Sequence, residues 1–176
     1  MGENLLQLLD QSGAGTKAVV WAHNGHIWRK TESSGEASAG RVIADRHGDA
    51  YAAWMLECGR GSFQTRSVLD NGLLGSLGVT PVAAAPVGTV PWCLEATGLG
   101  DFTLDLHRGV GNPDVAPWLN TPQRYHGAGW AVQEPSEAFD PVDLGEAFDG
   151  IIFVGEVSPA HPTENARANA LGDRGL

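Results

Sequence analysis

The chain has 176 residues, 42% of them hydrophobic, with six tryptophans and a formal net charge of −10. That length and composition describe a globular domain with a core of its own, and the acidic balance argues against a nucleic-acid partner, because phosphate backbones are held by clustered Lys and Arg. No apolar run approaches the ~20 residues of a membrane span, and no basic N-terminal region leads into a long apolar stretch, so the expectation is a cytoplasmic protein without membrane contact.

Taken in order, Asn4 to Gln11 places Leu5, Leu8 and Leu9 on one helical face, and Ser12-Gly13-Ala14-Gly15 ends the helix. Lys17 to Ala22 reads as a buried strand of the parallel type. A helix followed by such a strand predicts an α/β fold, with a mostly parallel sheet flanked by helices.

The run Ala18-Val19-Val20-Trp21 leads straight into His23-Asn24-Gly25-His26, with Arg29 three residues on. Ligands in α/β sheets collect beyond the carboxyl ends of strands, and Gly25 offers a turn on which His23 and His26 converge. Histidine titrates near neutrality and suits proton transfer to and from water. Arg29, always charged, suits a carboxylate or a developing oxyanion. The bland alternative is a pair of ordinary loop histidines. His-x-x-His supplies two metal ligands at most and no Cys or acid cluster adjoins it, so neither a metal nor a cofactor is expected.

Lys30 to Gly40 is polar and reads as an exposed loop, and Ala37 to Arg46 as a short helix. Tyr51 to Leu56 is the expected second strand, ending in an irregular stretch from Glu57 to Ser62. Gly59-Arg60-Gly61-Ser62 fits no phosphate-binding spacing and reads as a turn lining the cleft, with Arg60 as a candidate substrate contact. Gly72, Gly75, Gly78, Pro81 and Pro86 predict a long connection from Gln64 to Pro91 with an edge strand at most.

Further on, Pro91 opens a helix to Thr97. Phe102 to Leu106 reads as a third buried strand whose Asp105 needs a partner such as Arg108. Gln123 to Trp130 suggests a short strand, Asp140 to Phe148 a helix, and Gly150 to Gly155 a strand. The division expected is a domain over 1–157 with a loosely ordered tail over 158–176. Cys58 and Cys93 have neither metal nor redox spacing and read as free thiols. No serine sits in Gly-x-Ser-x-Gly, so hydrolysis, if performed, falls to activated water rather than a serine nucleophile.

The segment Lys17 to Arg29 resembles the WAHN-x-H signature of the erythromycin esterase-like family. His47-Gly48-Asp49-Ala50-Tyr51, Gly61-Ser62-Phe63, Phe102-Thr103-Leu104-Asp105-Leu106, Trp118-Leu119 and finally either Phe139-Asp140 or Phe148-Asp149-Gly150-Ile151-Ile152-Phe153 follow in the family's order. The resemblance implies an incomplete fold of that family. It also implies hydrolysis of a macrolide lactone or related ester, with His23 and His26 catalytic and Asn24, Arg29 and Arg60 contacting substrate. The family's Gly-Glu-x-x-His-Gly motif does not occur in these residues, and Gly88-Thr89-Val90-Pro91 stands where the family often shows Gly-Ser-x-Glu, with Glu95 one turn later. His107 occupies a position where the family commonly has arginine. Met1-Gly2-Glu3-Asn4 resembles a helix start deep inside family members, so the chain is expected to be a C-terminal portion. Its partner would be a separately encoded N-terminal half or a second copy of itself. The competing expectation is a catalytically inactive relic, or the binding half of a split enzyme.

Overall fold

The computed structural model describes residues 1–31, 35–127, 131–132 and 139–161. Helix α1 (Gly2–Ser12) packs on α3 (Ala39–His47), and the one-turn helix α2 (Asn24–Ile27) lies between them in sequence. The principal sheet is built on the 15-residue strand β1 (Trp54–Val68). β1 pairs antiparallel with β2 (Leu74–Pro81) along its second half and parallel with β7 (Gly150–Val157) along its first. β3 (Phe102–Asp105) pairs antiparallel with β7, and the short β5 (Ala131–Val132) runs parallel to Arg66 and Ser67. A separate ribbon joins β4 (Gln123–His126) to β6 (Phe139–Val142). The sheet is therefore mixed, not mostly parallel as expected.

Alternation along β1 decides where the core lies. Ala53, Met55 and Glu57 are buried while Trp54 and Leu56 between them are exposed, the period of two that a pleated strand imposes. Ile151 and Phe153 of β7 add to the buried face. Over it pack Val90 and Leu94 of α4 (Val90–Glu95), Leu106 just ahead of α5 (His107–Val110), Leu119 of α6 (Ala116–Leu119), Tyr125 of β4, Val142 of β6, and Leu144 of α7 (Leu144–Ala147).

Several expectations are corrected. Lys17 to Ala22 is extended but belongs to no strand, and Val19 and Trp21 stand 95% and 80% exposed. An apolar run has the side chains for a strand, yet a strand exists only where a neighbour takes its backbone groups. The stretch from Glu57 to Ser62 is continuous strand, not irregular. Its glycines serve close approach: a Cβ at Gly61, whose φ is +121°, would fall 1.9 Å from the Val157 carbonyl oxygen. Beyond it, β2 is an edge strand, as the connection from Gln64 to Pro91 allows, but β1 also runs on to Val68 and pairs with it in a full hairpin. Asp140 to Phe148 divides into β6 and α7. β3 is an exposed edge, and Arg108 there is 90% exposed with its Nε 3.7 Å from Asp105, so this pair is not buried. Residues 32–34 of the expected loop, 128–130 of the expected strand and 162–176 of the expected tail lie outside the described residues. Among the described residues no helix is long and apolar enough to cross a membrane.

Candidate active site

His23 ends the extended segment and caps α2: its Nδ1 accepts a hydrogen bond from the Gly25 N–H at 3.2 Å, and its carbonyl accepts from the His26 N–H at 2.8 Å. Because Nδ1 accepts, the neutral imidazole carries its proton on Nε2. One helical turn brings the His26 ring to 6.2 Å from the His23 ring, edge-on at 73°. Both side chains are open to solvent. The turn expected at Gly25 is thus present, and the two imidazoles converge.

Asn24 points the other way. Its Nδ2 donates to the Leu56 carbonyl at 2.7 Å and its Oδ1 accepts from the Leu56 N–H at 2.9 Å, so a buried side-chain amide does for β1 what a neighbouring strand would. This double bond to the backbone fixes the histidine turn on the sheet. From the other side, a Cβ at Gly40 would fall 2.0 Å from the Ile27 carbonyl oxygen. The N-terminus of α3 therefore presses directly on the end of α2, where Ser38 Oγ donates to the Trp28 carbonyl at 2.6 Å.

Arg29 is engaged by protein. Its Nη2 donates to Asp149 Oδ2 at 2.5 Å and to the Tyr51 carbonyl at 2.9 Å, with the guanidinium 5.5 Å from the Tyr51 ring centre. Asp149, just ahead of β7, also accepts from the Ala53 N–H at 2.6 Å, and its Oδ1 lies 2.8 Å from His107 Nε2. The Tyr51 hydroxyl donates to the Ile27 carbonyl. Burial, opposed by the charge of Arg29 and assisted by that of Asp149, raises the Tyr51 pKa. One carboxylate thus ties the histidine segment, the start of β1, β7 and His107 together. Sequence reasoning expected a buried carboxylate at Asp105, paired with Arg108, and gave Asp149 no part; the signal for Asp149 is its place directly before the apolar strand β7.

Arg60 belongs to another place. Four residues beyond Leu56, about 13 Å along the strand, it pairs with Glu95 at 3.3 Å and Glu156 at 3.1 Å. These three residues, with Asp101 and Phe153, line a cleft of about 320 Å³ whose lining includes neither histidine. The glutamate at 95 therefore faces Arg60. A second site joins residues 69 positions apart: Glu57 Oε1 lies 2.7 Å from His126 Nδ1 beneath the sheet, a pairing no local pattern announces. Beside it, burial and the charge of Glu57 push the Cys58 thiol up to about 12.

With this geometry in place, the comparisons are direct. The erythromycin esterase family profile matches residues 1–157, and the chain belongs to that family. Similar solved structures include a protein from Bacillus cereus (22% identity, TM-score 0.67, covering 81% of this chain and 35% of that one). A succinoglycan biosynthesis protein aligns at 21% identity and TM-score 0.72, covering 88% and 36%. A histidine-to-asparagine mutant of erythromycin esterase EreC in its open conformation aligns at 16% identity and TM-score 0.56, covering 87% and 35%. The chain thus spans about a third of the length of the structures it matches. A search of curated proteins found no match.

Proposed function

We propose that this chain is the C-terminal portion of an erythromycin esterase-like hydrolase that opens a macrolide lactone or a related ester with activated water. The observation that carries the reading is the pair of solvent-facing imidazoles, 6.2 Å apart on one helical turn, in a chain matched to the family over 1–157. In this scheme polypeptide beyond these residues supplies the group that takes the proton from water, and His23 and His26 steady the carbonyl oxygen as it gains charge and return a proton to the leaving alcohol. Asn24 and Arg29, both bonded to the protein, position that turn in place of gripping the substrate. Arg60 meets a distant part of a large substrate at its own cleft.

The experiment is erythromycin consumption, read by mass spectrometry as addition of one water. It is run on the chain alone and on the chain mixed with an N-terminal half carrying Gly-Glu-x-x-His-Gly. Hydrolysis is expected in the mixture, with His23→Ala and His26→Ala each slowing it about 100-fold or more. Equal rates in wild type and both variants would rule out this site. The second reading, a non-catalytic half that binds a partner, is favoured by the commitment of Asn24 and Arg29 to the protein's own framework; it predicts association of the halves without turnover.

A further inference from the structure

The inner face of β1 meets the β4–β6 ribbon at Glu57. There Glu57, Cys58 and His126 each bring one ligand atom to within 4.8 Å of the others. We propose that these three side chains bind a divalent transition-metal ion of the zinc type through Glu57 Oε1, Cys58 Sγ and His126 Nδ1, leaving a fourth position open.

Consecutive strand residues point to opposite faces, so Glu57 and Cys58 should diverge. Their ligand atoms nonetheless lie within 4.8 Å of each other, and the Glu57 carboxylate folds back on its own strand to accept the Cys58 N–H at 2.8 Å. Its other oxygen accepts the His126 N–H at 3.0 Å, which clamps the end of β4 to β1. The imidazole then lies between two acceptors: Glu57 Oε1 is 2.7 Å from Nδ1 and the Ala83 carbonyl oxygen is 3.4 Å from Nε2. A neutral ring has one N–H and satisfies one of them. A cation between Nδ1 and the carboxylate resolves the conflict, since Nε2–H then donates to Ala83, the outer hydrogen bond that metal-bound histidines habitually make.

The Phe139 ring, centred 4.6 Å from that of His126, holds the imidazole in place. Ligand chemistry selects the ion. A thiolate, an imidazole and a carboxylate suit zinc and its neighbours, whereas magnesium and calcium take oxygen sets. Carboxylate and thiolate together balance two positive charges, so the occupied site is neutral where it is buried. Zinc bonds to nitrogen and oxygen are about 2.0–2.2 Å, so Nδ1 and Oε1 move apart slightly to admit the ion, a side-chain adjustment with the backbone in place.

The test is a titration of the purified, chelator-treated full chain with cobalt(II), followed by zinc(II). Stoichiometric binding with a thiolate-to-cobalt charge-transfer band that zinc abolishes is expected. Cys58→Ala should remove the band and weaken zinc binding about 10-fold or more, as should His126→Gln. Cys93→Ala and the His23→Ala/His26→Ala double variant should leave both unchanged. If His126→Gln fails to fold by circular dichroism, Cys58→Ala decides. No charge-transfer band in the wild type, or binding that survives Cys58→Ala or disappears in the double histidine variant, would overturn the proposal. A Glu57–His126 hydrogen bond, and no metal, is the reading those results would leave.

Discussion

Asn24 shows how much one side chain settles. Its amide satisfies both backbone groups of Leu56, and a buried polar group stripped of its partner costs about 1–3 kcal/mol. Asn24→Ala should therefore lower the unfolding free energy by about that amount in urea denaturation. Asn24→Asp should do no better, because a carboxylate then faces the Leu56 carbonyl oxygen. At this scale the sequence was informative where chemistry is local: the His23-x-x-His26 spacing with Gly25 between foretold the convergence of the rings. It was mute where partners are remote. Nothing near Asp149 announces Arg29, 120 positions away, and nothing near Glu57 announces His126.

Among elements, α1, α4, β3 and β7 were legible because their patterns are complete within a few residues. Lys17 to Ala22 was not, because hydrophobicity is a property of the segment and pairing is a property of its surroundings. β1 failed in the opposite direction. Gly59 and Gly61 read as a turn, yet a Cβ at either would come within 3 Å of the backbone of β7, so the strand needs glycine there. The same reasoning applies where α3 meets α2. Gly40→Ala places a methyl group 2.0 Å from the Ile27 carbonyl oxygen, which the Tyr51 hydroxyl holds in place. The expected loss is about 1–3 kcal/mol, seen as a lower thermal midpoint, whereas Gly78→Ala, with open space around its Cβ position, should change it far less.

For the whole molecule, burial raises the pKa values of Tyr51 and Tyr125. An unfolded tyrosine loses its proton near pH ~10, while these two keep theirs to higher pH when folded. Above pH ~10 the unfolded state thus binds fewer protons, so the stability these groups contribute is complete below that pH and declines as pH rises. Thermal midpoints measured from about pH 8 to about pH 11 should fall more steeply for wild type than for Tyr51→Phe; parallel curves would contradict the assignment. The fold is α/β as expected, although one of the two elements from which that class was inferred, Lys17 to Ala22, forms no strand. The mixed sheet was not legible in the sequence, since strand direction depends on which strands become neighbours.

The pairing of β1 with β7 also orders events in time. Ala53 and Asp149, bonded where these strands begin, are 96 positions apart. A ribosome finishes β1 long before its central neighbour emerges, and pairings of such separation form late. Until those later elements emerge, Met55 and Glu57 wait without the layer that buries them, in the state where nascent chains are most prone to associate wrongly.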